Sequence, residues 1–578
     1  MTEPVRGRRE IAWPRWSILV ALVVLSLGAS YGAYTLAGYS WDQVVSYRSP
    51  YTAMSGVDYV GARPSLDVAV PNAEARRVVL VVIDGLRDDA SRSMESITAV
   101  REQGADVSLT VPQPSLSYPT WTTILTGAPQ QISGVTTNWY EGRVPVETLF
   151  DVAAGSGRSV AVAGPDDLDT LYGVSEVASA TALTEWDNAT YMSGDIVDGA
   201  LALNAGTPAD FTFVLLPDVD VAGHAFGGAS DEYAATVARV DEDLTRLIEG
   251  LDDGYTTFIV LPDHGHIDSG GHGGGEVTVT TTFAAFAGPG VAQTTASANL
   301  EDIAPTVAVI AGLQAPLHGT GTAIDAILAG NNGSSRDADM VRATGITLEY
   351  ISIVLGSDGL ADLQPIDSPA AFARLRANAD AKRLAAERSD QLPWLIAAIA
   401  ALAAMLVVVG IRSWRALVAS VSGAAVYFGL YNALFFLAHT YSWSLSTFNE
   451  ESQVSAFFNE RMLEAAGCGA VACVVAALVY MALRREPQGP HSGYLPEWLA
   501  LGPTTILLTQ LVLALQAAVF VWQWGASVVW ILPDMQAAFK YDLDLIQLAA
   551  LAASALLGAG ITWAIGRLHP RTRKAASR

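Results

Sequence analysis

The hydrophobic positions of this chain follow two different patterns. Long uninterrupted apolar runs cover Trp16–Ala37, Trp394–Ile411, Ala416–Leu437, Ala465–Leu483, Trp498–Trp522 and Leu545–Ile565. Each is long enough to cross a bilayer as a helix, so six transmembrane helices are predicted. Between the first and second, apolar residues come in short bursts. Val78–Ile83, Ser159–Ala163, Phe211–Leu216 and Thr256–Leu261 show no polar alternation and read as strands buried on both faces. Tyr233–Leu251 instead has a helical period, with Tyr233, Val237, Val240, Leu244, Leu247 and Ile248 on one face. Strands alternating with helices predict an α/β layered domain with a largely parallel sheet, in which ligands gather at the carboxyl ends of strands. Ala370–Arg388, rich in Ala, Arg and Glu, reads as a polar helix leading into the membrane.

Charge orients this layout. Arg412, Arg415, Arg484, Arg485, Arg567, Arg571, Arg573 and Lys574 fall on one side of the predicted spans, with the arginine-rich N-terminus. Glu450, Glu451, Glu460, Asp534, Asp542 and Asp544 fall on the other, which the positive-inside rule places outside the cytoplasm. The expected organisation is a cytoplasmic tail at 1–15, an anchor at 16–37, an extracytoplasmic domain at 38–332 and a helical linker at 333–391. A five-helix membrane domain at 392–566 and a cytoplasmic tail at 567–578 complete it. Trp16–Ala37 is too long for a typical cleavable signal, with cleavage near the small residues Gly28–Ala33 as the alternative.

The formal net charge of −25 excludes nucleic acid as the main partner, and an anionic substrate would need cations to hold it. The two cysteines, Cys468 and Cys473, lie in an apolar run off any common helix face, so the soluble region has no disulfide and no thiolate site. Within the spans, Asn432, Gln510 and Gln516 read as helix–helix hydrogen-bonding groups, and no charge pair of a transporter type is expected there. The stretch from His439 to Glu464, with Phe448, Phe457 and Phe458, reads as a connector or as a segment touching the soluble domain. Asn188 and Asn332 begin glycosylation sequons, a short and unspecific motif.

Three stretches carry the chemistry. Asp84 directly ends the first strand, in Val79-Leu80-Val81-Val82-Ile83-Asp84-Gly85. Asp220-Val221-Ala222-Gly223-His224 sets a carboxylate and an imidazole four residues apart. Asp263-His264-Gly265 is followed by Gly270-Gly271-His272-Gly273-Gly274. Four of the eight histidines fall within 224–272. Carboxylates with neutral imidazoles suit zinc, with manganese or another divalent ion as alternatives. Ser117, in Ser115-Leu116-Ser117-Tyr118-Pro119, offers a nucleophilic hydroxyl, with Thr120, Thr122 and Thr123 as rivals. Asp218 lacks the four-residue spacing to His224. His266 and His318 read as structural, and Asp88 and Asp89 as a solvated helix start.

Over roughly residues 76–325 these motifs resemble the alkaline phosphatase superfamily, and most closely its nucleotide pyrophosphatase/phosphodiesterase branch. Asp302-Ile303-Ala304-Pro305-Thr306 and Gly319-Thr320-Gly321 extend the resemblance. It implies an alkaline-phosphatase-like layered domain with two divalent ions. One would be held by Asp220, His224 and His272, the other by Asp84, Ser117, Asp263 and His264. Ser117 would attack phosphorus and form a covalent phospho-serine. Asn138 would donate to a phosphate oxygen, and Tyr118 would stack on the substrate. The branch has Asn-His where this chain has Thr120-Trp121, a departure that bears on the finer subfamily.

One N-terminal span, an external domain and several C-terminal spans resemble the GPI ethanolamine phosphate transferases, as does His272-Gly273-Gly274-Gly275-Glu276. The expected function is a membrane-bound phosphodiesterase or pyrophosphatase acting on a phosphodiester from a nucleotide or from a lipid or glycan head group. Transfer of a phospho-headgroup is the alternative, and monoester hydrolysis comes third. Membrane lipid is the further expected partner, and the sequence leaves the oligomeric state open.

Overall fold

The computed structural model describes residues 15–49, 77–330, 336, 339–340, 342–347, 349, 369–448, 451–483, 494–524 and 535–568. The sequon at Asn332 and residues 350–368 of the predicted linker lie outside them. Eight strands form one mixed sheet: β1 (Arg77–Ile83), β2 (Ala105–Thr110), β3 (Val160–Pro165), β4 (Ala180–Thr184), β5 (Phe211–Leu216), β6 (Thr256–Leu261), β7 (Thr281–Ala287) and β8 (Thr294–Asn299). Their order is β4-β3-β5-β1-β6-β7-β2-β8. Only β7 runs against its neighbours β6 and β2; the other pairings are parallel.

The central strand β1 shows why its sequence lacks alternation. Val78, Leu80 and Val82 enter one core with Trp121, Ile124 and Val307. Val79, Val81 and Ile83 enter a second core with Val237, Val240 and Leu244. Helix Asp231–Leu251 covers one face, while Ser117–Thr126 and Ile303–Ala311 cover the other. A strand buried on both faces must be apolar throughout. β5 and β6 flank β1, both parallel to it, so the carboxyl ends of β5, β1 and β6 open side by side.

Among the described residues, six helices are long and apolar enough to cross a membrane: Ser17–Val45, Glu387–Arg412, Trp414–Ala438, Gln453–Leu483, Glu497–Trp524 and Gln536–Arg567. Close packing rests on small residues, as expected where lipid competes equally for apolar side chains. A Cβ on Gly423 would lie 2.6 Å from the Ala472 carbonyl oxygen, and one on Gly558 2.6 Å from Cys473 Sγ. Gln510 bridges helices by donating to Ser30 Oγ (2.8 Å), and Gln516 accepts from Lys540 (2.8 Å). Asn432 departs from the expectation: it donates to Phe428 O in its own helix (2.7 Å).

Charge placement also differs from the sequence reading. Asp542 and Asp544, expected in an external loop, belong to helix Met535–Leu568, where Asp544 is buried and pairs with Lys540. Buried Arg461 pairs with Glu464 one turn on (2.8 Å). The helices begin earlier than hydropathy suggests because a charged residue with an intrahelical partner need not end a helix.

Among the described residues, the two halves touch at two places. After the first long helix, Thr136 donates to Val44 O (2.9 Å), Tyr47 to Gln131 O (2.7 Å), and Trp41 packs edge-on against Trp139 (5.1 Å). The second contact is made by Ser444–Phe448, which lies on the turn around Gly271–Glu276. The His439–Glu464 stretch is therefore more than a connector.

Candidate metal centre

Asp84 leaves β1 at its carboxyl end, and Gly85 (φ +70°) turns the chain. A Cβ on Gly85 would lie 2.7 Å from Asp220 Cα and 2.8 Å from His266 Nε2, so only glycine lets the two strand ends approach. Tyr233, from the covering helix, fixes this turn by donating to Gly85 O (2.8 Å) and accepting from Arg87 N (2.9 Å). Asp220 follows β5 in helix Asp218–Phe226, whose pitch sets His224 beside it (3.3 Å). Asp263 and His264 follow β6. Asp263 Oδ1 accepts from Gly85 N (3.1 Å) and His264 N (2.8 Å), which orients the carboxylate.

Two of the three ligand-type clusters found among the described residues are the sets read from sequence. Asp220, His224 and His272 have ligand atoms within 4.8 Å of one another, and so do Asp84, Asp263 and His264. The clusters adjoin: the His264 and His272 rings stack with centroids 3.8 Å apart. Ser117 begins helix Ser117–Thr126 and sets Oγ 3.4 Å from His264 Nε2. His272 Nδ1 lies 2.8 Å from Ser115 O, a pure acceptor, so Nδ1 carries the proton and the Nε2 lone pair faces Asp220 and His224.

The residues fit a pair of cations. Asp84 is fully buried, and neither of its oxygens accepts a hydrogen bond. A buried carboxylate left in that state is expensive unless a cation meets it. Burial, then the Asp263 and Asp220 carboxylates, push the Asp84 carboxyl well above its ordinary range. Burial also works to raise Asp220, but His224, His266 and His272 outweigh it and hold that carboxyl well below. Burial and the His264 imidazole push His272 well down, and burial also lowers His266. Buried neutral imidazoles offering lone pairs, beside a carboxylate that resists being a lone anion, make a cation-seeking site.

The other sequence candidates separate cleanly. Asn138 Oδ1 accepts from Tyr118 N (3.0 Å) beside Ser117, which turns the amide N–H pair elsewhere. Tyr118 donates to Asp167, so its hydroxyl has a partner and its ring is half-buried. Thr120 donates within its own helix to Leu116 O (2.7 Å) and lies 3.1 Å from Asp263 Oδ2. Thr122 and Thr123 also bond back to their helix, at Tyr118 O (2.7 Å) and Pro119 O (2.9 Å). Of the four hydroxyls, only that of Ser117 approaches His264.

Asp218 accepts from Met192 N (2.9 Å) and Ser193 N (2.6 Å), a capping role. Asp88 and Asp89 are ion-paired with Arg92 (3.0 Å) and Arg87 (2.7 Å). Asp302 takes Thr322 N (2.7 Å) and Asn299 N (3.0 Å), tying loops together. His318 accepts from Glu147 N (3.3 Å).

His266 was missed. It is fully buried, 2.8 Å from Asp220 Oδ1, and forms the third cluster with Asp220 and His264. Its signal was the period-two spacing from His264, which returns a side chain to the same side of an extended segment.

Residues 78–288 match the family model described as type I phosphodiesterase / nucleotide pyrophosphatase. The match covers 211 of the 578 residues, and it is this segment that resembles that family. Its sheet is mixed and mostly parallel. Curated relatives include GPI ethanolamine phosphate transferase 1 of Emericella nidulans, 27% identical over 274 residues, which cover 40% of this chain and 30% of that protein. The Homo sapiens GPI ethanolamine phosphate transferase 1 is 26% identical over 251 residues, 38% of this chain and 27% of that protein. The chain therefore spans under a third of the length of either relative. Among solved structures, murine ectonucleotide pyrophosphatase / phosphodiesterase 5 aligns at 14% identity and a TM-score of 0.37, over 42% of this chain and 96% of that one.

Proposed function

We propose that the protein is a membrane-bound, two-metal enzyme that cleaves a phosphodiester or pyrophosphate through Ser117. The observation that carries this is the adjacency of the Asp84/Asp263/His264 and Asp220/His224/His272 clusters, with Ser117 Oγ at their junction. Two divalent ions, zinc by ligand type, would neutralise phosphoryl oxygens and favour the ionised serine hydroxyl. Ser117 gives its proton to solvent and forms the Oγ–P bond as the bond from phosphorus to the leaving oxygen breaks. Water then attacks phosphorus from the side the leaving group vacated, breaks the Oγ–P bond and returns the proton to Ser117. Asn138, pinned through Oδ1, aims its N–H pair at a phosphoryl oxygen, and Tyr118 offers its ring to the ester substituent.

A diester is favoured over a monoester by Arg87. The cation nearest Asp84 in sequence is committed to Asp89 (2.7 Å) and Asp268 (2.6 Å) and does not clamp a doubly charged phosphate. A second reading, transfer to an acceptor alcohol in place of water, is favoured by the curated relatives, whose names describe ethanolamine phosphate transfer. The basic flanks of the six apolar helices support a catalytic domain outside the cytoplasm with both termini inside.

The test compares an aryl phosphodiester, an aryl monoester and a nucleotide aryl ester with the zinc-loaded full chain in detergent. The hydrolase reading expects diester cleavage abolished by chelation and restored by zinc. Two bound zinc ions with no cleavage of any of the three would select the transferase. Asn138→Ala should lower kcat/KM for the diester by about 100-fold with zinc content unchanged, the scale of one lost oxyanion donor. Unchanged kcat/KM would remove Asn138 from the site.

A further inference from the structure

We infer that Ser446, on the loop between two membrane helices, is a positioning residue for the metal ligand His272; this rests on the two-metal reading above. The link is a continuous chain of hydrogen bonds. Ser446 Oγ accepts from Gly274 N (3.0 Å) and donates to Glu276 Oε2 (2.8 Å), gripping the turn just after His272 at both ends. Gly274 O in turn accepts from Ser115 Oγ (3.0 Å), and Ser115 Oγ accepts from Gly273 N (3.1 Å). Ser115 O receives the His272 Nδ1 proton (2.8 Å), which sets the ring and its tautomer. Groups behind a ligand histidine govern metal affinity nearly as strongly as the ligand itself.

The glycines around His272 are explained by this contact. A Cβ on Gly271 (φ +86°) would lie 2.7 Å from Phe448 O and press on Ser446 O. A Cβ on Gly273 (φ +99°) would sit 2.9 Å from Leu116 Cδ2 and 3.2 Å from Leu445 Cβ. On Gly274 it would overlap Ser444 Oγ and Glu276 Oε2. Three glycines thus clear a seat for one segment of the membrane domain. That segment is itself rigid: Ser444 Oγ accepts from Ser446 N (3.2 Å), Ser444 O from Thr447 N (3.1 Å), and Leu445 O from Phe448 N (3.0 Å). Phe448 anchors it edge-on against Phe457 (4.9 Å) and near Phe539 (5.9 Å), both on membrane helices. The membrane domain is therefore a structural part of the metal centre as well as an anchor.

The experiment measures zinc content and affinity of the full chain in detergent by competition with a chromogenic chelator. Wild type is expected to hold two ions. In Ser446→Ala one ion should bind about tenfold more weakly or worse, with the Asp84/Asp263/His264 ion retained, and kcat should recover at saturating zinc. Glu276→Ala should behave alike. Glu276→Gln, which keeps an acceptor oxygen, should stay near wild type. Asp220→Asn marks the pattern of losing that ion outright. Two ions bound by Ser446→Ala with wild-type affinity would overturn the positioning role and leave the two-metal reading intact. A wild type that binds no zinc would remove both.

Discussion

Ser117→Ala should lower diester turnover by about 1,000-fold or more while both metal ions stay bound. The size of the loss follows from the surroundings of Ser117. Its Oγ faces His264 Nε2 at 3.4 Å, whereas the three neighbouring threonines spend their protons on their own helix. No second hydroxyl is poised to replace it. The ions should remain because Asp84, Asp263 and His264 do not rely on that hydroxyl for their positions; Gly85 N and His264 N hold Asp263. Stopped-flow or steady-state assay alongside zinc analysis checks both halves. Turnover within tenfold of wild type would exclude Ser117 as nucleophile.

Asp84→Asn should act in opposite directions on activity and on the stability of the metal-free protein. Activity should fall below detection, since the amide replaces an anionic ligand. Stability of the metal-stripped protein should rise. The folded carboxyl sits above its ordinary pKa through burial and the nearby Asp263 and Asp220 charges. A raised carboxyl pKa means the unfolded chain ionises first, so stability is lost as pH climbs from the ordinary value near 3.8 through the folded one. Above that window the metal-free protein carries the whole penalty, and the neutral amide removes it. Each kcal/mol relieved should raise the melting temperature by about 2–4 °C for a domain of this size. Zinc should reverse the order, stabilising wild type more than Asp84→Asn, which keeps only the Asp220/His224/His272 site. A metal-free variant that melts below wild type across neutral pH would contradict this account of Asp84.

Sequence patterning served best where one physical constraint ruled a segment. β5 and β6 are found at the boundaries their apolar runs predict, because strands covered on both faces carry no charge and only small hydroxyl side chains among their apolar ones. β8, whose residues alternate between half-buried and exposed, was not singled out, nor was the shorter β4 at the opposite edge. The ligand-type residues were legible because carboxylates at strand ends and glycine-flanked histidines are rare outside such sites. His266 carried only its two-residue spacing from His264, and its partner Asp220, 46 positions away, is joined to it by the fold. Asn432 and the Lys540–Asp544 pair show the limit of hydropathy: it finds a span but not where a polar group finds its partner. The Ser446 contact was out of reach for the same reason, with 172 positions between Ser446 and Gly274.

The measurement that bears most directly on the two-metal centre is anomalous diffraction at the zinc edge from crystals of the zinc-loaded full chain. Two peaks about 4 Å apart are predicted, one among Asp84, Ser117, Asp263 and His264 and the other among Asp220, His224 and His272. A single peak, or none at these residues in an active preparation, would contradict the account.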